Sequence, residues 1–281
     1  MHDIPDIIDL TTKEHIGKGA YSHVYKHDNG CIKVQNCYHP TAQNELRIAK
    51  KLKCLRHSCI LEFYWSKIQN DQLITYMELG YMDLLNYVTG KGAMTKDLWT
   101  FTYKSLACAL TFMHQNHLVH GDVKPENAVF TFDGRIVLCD FGFTVEADTQ
   151  IDFFRRSGTK IYMAPEKYRE FEIVSLEKCD IWSFGMTMFA LCTCAHPYTE
   201  KAILYFFSEQ KDDEFKQKGS CADRRQELLG EYFHAVRAPL IWDPTERYFM
   251  GFNELQAPNL NSFNLEDHLP CLPDGSYTLG I

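Results

Sequence analysis

One octapeptide, His120-Gly121-Asp122-Val123-Lys124-Pro125-Glu126-Asn127, constrains this chain more than any other feature. It places a carboxylate, an ammonium two residues later and an amide five residues after the carboxylate in a single polar loop. Upstream, Leu98, Phe101, Ser105, Ala109 and Met113 recur at helical spacing, which predicts a long helix over about 96–115. Downstream, Ala128–Phe130 and Ile136–Cys139 read as short strands, the second running into Asp140-Phe141-Gly142. In the loop, Asp122 is suited to accept a proton from an attacking hydroxyl. Lys124 is suited to neutralise a transferring phosphate. Asn127 offers a carbonyl oxygen to Mg2+, a hard cation that prefers oxygen ligands, and Asp140 at a strand end suits the same ion.

The first 80 residues have a different character. Thr12–Gly17, Ser22–Lys26 and Cys31–Gln35 look like strands broken by glycine, and Ile60–Lys67 and Gln72–Glu78 extend the set. Pro40 opens a helical stretch in which Glu45, Ala49 and Leu52 share one face. Gly17-Lys18-Gly19-Ala20-Tyr21-Ser22-His23-Val24 carries two glycines between strands, which lets backbone N–H groups approach phosphate oxygens. Sixteen residues after Gly17 stands Lys33, and twelve further on stands Glu45, placed to hold that lysine by an ion pair. A lobe boundary is expected near Glu78–Asp83, with a first lobe over about 10–79, a second over 80–260 and an irregular tail over 261–281.

Composition closes off other classes. Of 281 residues, 45% are hydrophobic and 23% charged, which excludes wholesale disorder, a fibrous repeat and a coiled coil. A net charge of −8 argues against nucleic-acid binding, where affinity is mostly phosphate neutralisation. The eleven cysteines are odd in number, include no C-x-x-C pair and sit partly in apolar runs, so a reducing compartment is expected, cytoplasmic or nuclear. The acidic start MHDIPDIIDL lacks the basic, apolar character of a secretory signal. The uncharged stretch between Asp180 and Glu200 is too polar for a bilayer span and reads as a helix buried in a core, so no membrane is expected.

The ordered set resembles the eukaryotic protein-kinase domain over residues 10–255. Besides the glycine loop, Lys33, Glu45, the octapeptide and Asp140-Phe141-Gly142, the resemblance includes Ala164-Pro165-Glu166, Asp180-Ile181-Trp182-Ser183-Phe184-Gly185 and Asp243-Pro244-Thr245-Glu246-Arg247. It implies an α+β, bilobal fold: a small N-terminal antiparallel sheet with one helix, then a larger, mainly helical C-terminal lobe. It also implies ATP and Mg2+ as cofactors and proteins as substrates. Ile16, Gly17, Lys18, Gly19, Val24, Cys31, Lys33, Met77, Glu78, Gly80, Asn127, Val129 and Asp140 would form the nucleotide site, with Asn127 and Asp140 the metal ligands. Asp122 would be the catalytic base, supported by Lys124, Lys33 and Glu45. Glu166 would pair with Arg247, and Asp180 would brace the catalytic loop. Lys124 and Thr159 match the Ser/Thr-specific pattern.

The departures matter. Gly121 replaces an Arg that in many relatives pairs with an activation-loop phosphate, so strict dependence on phosphorylation is not expected; basal activity or control by a partner is. Thr144, Thr149, Ser157 and Thr159 remain as hydroxyls in that loop, with Arg155-Arg156 adding positive charge. Ser22 stands where a third glycine is common, and Cys31 where an alanine packs on adenine, within reach of a thiol reagent or inert by burial. Asp83 and Glu126 suggest a basic residue upstream of the target. Two other functions compete: a pseudokinase scaffold, and a small-molecule phosphotransferase of the aminoglycoside or choline kinase type, which would lack Ala-Pro-Glu.

Overall fold

The structure is a computed structural model that describes residues 7–147, 157–168, 175–195, 222 and 226–250. Its strands are β1 (His15–Lys18), β2 (Ser22–His27), β3 (Gly30–Asn36), β4 (Phe63–Gln69), β5 (Gln72–Glu78), β6 (Gly80–Asp83), β7 (Leu118–Val119), β8 (Ala128–Thr131), β9 (Ile136–Leu138) and β10 (Val145–Glu146). Its α-helices are α1 (Pro40–Leu55), α2 (Leu84–Lys91), α3 (Lys96–Gln115), α4 (Leu176–Thr193), α5 (Gln226–Leu229) and α6 (Phe233–Arg237). The described residues divide into two compact units: those up to 87 together with 126–143 form one, and those of 88–125 and from 144 on form the other.

The first unit is built on an antiparallel sheet in the order β1-β2-β3-β5-β4. Side chains alternate across a strand, so β3 sends Ile32 and Val34 to one face and Lys33 to the other. Ile32 and Val34 join Ile8, Trp65, Ile74 and Tyr76 in an apolar cluster. The Ile8 backbone ties itself there by exchanging hydrogen bonds with the Gln69 amide, both 3.0 Å. The opposite face receives α1, which buries Glu45, Ile48, Ala49 and Leu52. That helix starts cleanly because Pro40 has no N–H to satisfy and the His39 ring accepts from the Thr41 N–H. A second sheet, β6-β8-β9, is attached to the first by Leu61 N–H to Leu138 O at 3.0 Å and Leu138 N–H to Cys59 O at 2.9 Å.

Two expected strands start later than the residue pattern suggests. The run from Thr12 becomes a turn because the Asp9 carboxylate captures the Thr11 N–H (2.9 Å) and hydroxyl (2.6 Å), and β1 begins only at His15. The run from Ile60 also turns first, through Ile60 N–H to His57 O at 3.0 Å, so β4 begins at Phe63. In both places local polar groups override β-propensity.

The second unit is organised around α4, buried without interruption from Asp180 to Leu191. It packs on α3, where Trp99 Nε1 donates to Met188 O at 3.1 Å. Burying side chains such as Trp182, Phe184 and Phe189 is worth about 1.5–3 kcal/mol each or more. Gly185 permits the close approach of the segment after α6: a Cβ there would fall 2.8 Å from Pro239 and 2.9 Å from Leu240. Ser175 starts α4 by accepting from the Lys178 N–H, and the left-handed Cys194 ends it. Among the described residues no helix is long and apolar enough to cross a membrane. The expected tail 261–281, Thr149 and Arg155-Arg156 lie outside the described residues.

Candidate active site

The residues expected to face a nucleotide all belong to the first unit, including Asn127, Val129 and Asp140, which lie in the segment Glu126–Phe143 that rejoins it after the break at Tyr87. Gly17 pairs with Val24 and Lys18 with His23, and the Gly19 N–H closes the β1–β2 turn onto Ser22 O at 2.9 Å. Lys18 is exposed, whereas Ile16 and Val24 are buried. On β3, Cys31 and Lys33 face inward at 1% and 3% exposure. Cys31 lies opposite Met77 of β5, and its Sγ reaches Glu78 O at 3.4 Å. The Cys31 thiol is therefore not open to reagents: burial pushes its pKa up to about 12. Glu78 is anchored sideways, its carboxylate pairing with Arg135 and its N–H donating to Glu62 O. Gly80 enters β6 opposite Thr131 of β8, where Val129 is also buried.

The centre of this unit is a three-part ion cluster. Lys33 Nζ lies 3.0 Å from Glu45 Oε1 and 2.7 Å from Asp140 Oδ1. Burial opposes the ammonium charge, but the Asp140 and Glu45 carboxylates outweigh it and hold Lys33 above the usual lysine range. Gln35 Nε2 donates 2.5 Å to the second Glu45 oxygen, so the carboxylate cannot rotate away. Asp140 adopts a left-handed φ of +59°, which Asp tolerates better than most residues. Asn44 of α1 donates to Gly142 O at 3.0 Å, tying the helix to the residues after Asp140. Sequence reasoning found the lysine and both carboxylates. It missed Gln35 and Asn44, for which a polar residue on the Glu45 side of the helix or sheet was the only signal.

The second unit holds Asp122 and Lys124. Asp122 Oδ1 accepts from the Thr159 N–H at 2.6 Å, and Oδ2 pairs with Lys124 Nζ at 2.9 Å. Lys124 also donates to the Thr159 hydroxyl at 2.8 Å, closing a ring of polar contacts. The loop is braced from beneath by Asp180, whose oxygens accept from the backbone N–H groups of His120 (2.7 Å) and Gly121 (2.9 Å) and from His114 (3.0 Å). Burial pushes the Asp180 carboxyl up, but these partners more than reverse it and leave it below the ordinary carboxylate range. Arg247 is fully buried, bridges both Glu166 oxygens at 2.6 and 2.9 Å and stacks 4.8 Å over the Trp182 ring. Thr144 and Ser157 are buried, and the Thr144 hydroxyl donates to His120 O, so neither is an open acceptor for phosphate. Asp83, expected to face a basic residue upstream of the target, is 1% exposed and caps α2 by accepting from the Asn86 N–H and side chain.

Residues 10–248 match the family model described as the protein kinase domain. Among curated proteins, the chain is 25% identical over 230 residues to the SNF1-like protein kinase ssp2 of Schizosaccharomyces pombe, covering 80% of this chain and 38% of that protein. It is 28% identical over 199 residues to the Aurora kinase of the same yeast, covering 66% of this chain and 54% of the relative. It is 26% identical over 251 residues to the calcium/calmodulin-dependent protein kinase type 1 of Caenorhabditis briggsae, covering 83% and 67%. The chain thus spans about two fifths to two thirds of these relatives.

Proposed function

Because the chain belongs to the protein kinase domain family, we propose that it transfers the γ-phosphate of ATP to serine or threonine hydroxyls of protein substrates. The observation that carries this reading is the Lys33 ammonium fixed between Glu45 at 3.0 Å and Asp140 at 2.7 Å. A buried lysine held by two carboxylates from distant parts of the chain is poised to anchor a polyphosphate. The nucleotide would lie under Gly17 and Gly19 and against Ile16, Val24, Cys31 and Val129. Met77 and the Glu78–Gly80 backbone would flank the adenine.

Asn127 and Asp140 supply an amide and a carboxylate oxygen, a donor set that fits Mg2+. Bound there, the ion would neutralise charge on the phosphates. The chain's own residues do the rest. Asp122 takes the proton of the incoming hydroxyl as its oxygen bonds to the γ-phosphorus. The bond from that phosphorus to the β-phosphate oxygen breaks, and ADP leaves. Lys124 shields the charge of the transferring group. Its contact with the Thr159 hydroxyl supports serine and threonine as acceptors. Since Asp83 is engaged in capping α2, any preference for an upstream basic residue rests on Glu126.

Gly121 brings no cation next to Asp122, which supports activity without a loop phosphate. The test is transfer of labelled phosphate from Mg-ATP to a Ser/Thr peptide array. Asp122→Asn is expected to lower kcat about 10²–10⁴-fold while nucleotide affinity is kept. Undiminished transfer by that variant would overturn the mechanism. Nucleotide binding with no transfer by the unaltered protein would favour the pseudokinase reading.

A further inference from the structure

Lys167 directly follows the Ala-Pro-Glu segment, yet it is 7% exposed. An uncapped lysine in a short 3-10 turn ordinarily points to water, because burying an ammonium is costly. Here the side chain runs inward, and Nζ donates to Ser157 O at 2.9 Å. Ser157 is itself buried, and two residues later the Thr159 N–H binds Asp122 at 2.6 Å. Between them Gly158 adopts φ +99°, and a Cβ there would fall 2.6 Å from Gly121 O and 3.5 Å from Lys167 Nζ. The segment 157–159 is thus pressed onto the backbone just before Asp122 and fastened at both ends, by Lys167 on one side and Asp122 on the other.

We propose that Lys167 is a positioning residue: its ammonium serves as a built-in fastener for Ser157–Thr159 and thereby holds Asp122 and Lys124 in working geometry without a phosphate. The inference rests on the kinase reading and adds the means by which the loop is ordered. The charge environment fits this role. Burial pulls the Lys167 ammonium below the usual lysine range, and Cys179, Asp180, Asp122 and Glu166 act in the opposite sense. Gly121 carries no side chain, so the peptide oxygen it presents to Gly158 is unobstructed, and the fastener acts through backbone atoms on both sides of the loop.

Lys167→Met and Gly158→Ala perturb the same fastening by independent routes. Both are to be assayed in the whole chain for peptide phosphorylation, nucleotide affinity, thermal midpoint and amide hydrogen exchange. The expected result is a kcat at least tenfold lower with the ATP KM within about twofold. The Thr159 amide should exchange at least tenfold faster, while amides of α4 are unchanged. Lys167→Arg should recover part of kcat. The proposal is overturned by a Thr159 amide that stays protected in both variants, or by a kcat within twofold of the unaltered protein. It is also overturned by nucleotide binding that falls in step with kcat, which marks a general loss of structure. If Lys167→Met does not fold, Gly158→Ala decides. If the unaltered protein transfers no phosphate, the functional reading fails, and the exchange data still judge the fastener separately.

Discussion

Replacing Lys33 by Met removes one positive charge and little volume. It leaves the Glu45 carboxylate, whose side chain is 2% exposed, with Gln35 as its remaining donor. Asp140 is 26% exposed and can be rehydrated; Glu45 cannot. Stranding a buried charge by deleting its partner costs about 3–5 kcal/mol. Glu45 escapes part of that cost by taking up a proton, and burial already pushes its carboxyl upward even with Lys33 present. An acid whose folded pKa stands above its unfolded value binds more protons when folded, so stability falls as pH rises between the two values. That window opens at the ordinary value of 4.5. Within it stability falls by at most about 1.4 kcal/mol per pH unit. For a chain of this size each kcal/mol amounts to about 2–4 °C in Tm. Thermal melts of Lys33→Met at about pH 5.5 and about pH 7.5 should therefore show the lower Tm at the higher pH, by more than any shift of the unaltered protein. Lys33→Met/Glu45→Gln should remove the difference and recover most of the lost stability. A Lys33→Met variant whose Tm ignores pH, or a double variant no better than the single one, would refute the claim that Lys33 is the counter-charge of a buried carboxylate.

Three further outcomes are expected. Arg247→Met strands Glu166 and should destabilise the chain by about 3–5 kcal/mol in urea titration, with a coupling to Glu166→Gln of more than about 1 kcal/mol in a double-mutant cycle; additive effects would show that the pair is not a structural unit. Gly185→Ala forces a methyl against Pro239 and Leu240 and should cost about 1–3 kcal/mol in the same titration, and a neutral result would mean the segment after α6 yields freely. Brief alkylation followed by peptide mass spectrometry should label the exposed Cys54 and Cys194 and spare Cys31 and Cys139, whose thiols are buried; early labelling of Cys31 would contradict its burial.

The most legible parts of this fold were those where periodicity and chemistry coincide. The α1 face with Glu45, Ala49 and Leu52, the α3 face from Leu98 to Met113 and the buried run after Asp180 all follow from spacing. The chemistry-bearing groups of both units could be named because they sit in dense motifs. What stayed hidden depended on atoms far apart in sequence. Gln35 and Asn44 look like ordinary surface amides until the sheet and helix bring them to Glu45 and Gly142. Lys167 looks like a solvated lysine, since nothing local says that its carbonyl partner will be buried beside it. Asp83 misled for the opposite reason: it was read as a carboxylate for a partner molecule, when its nearest use was the N-terminus of the helix it precedes.

The first compact unit is assembled from pieces that leave the ribosome at different times. Its five-stranded sheet and α1 are complete by residue 87, but β8, β9 and Asp140 emerge only after the whole of α3 has been made. Until then the Lys33 ammonium faces Glu45 alone, and the contact that spans 107 residues of chain is missing. Domains tend to fold as units during synthesis. This one cannot finish until residue 143 is free, so a chain truncated anywhere in α3 leaves the five-stranded sheet without β8, β9 and Asp140.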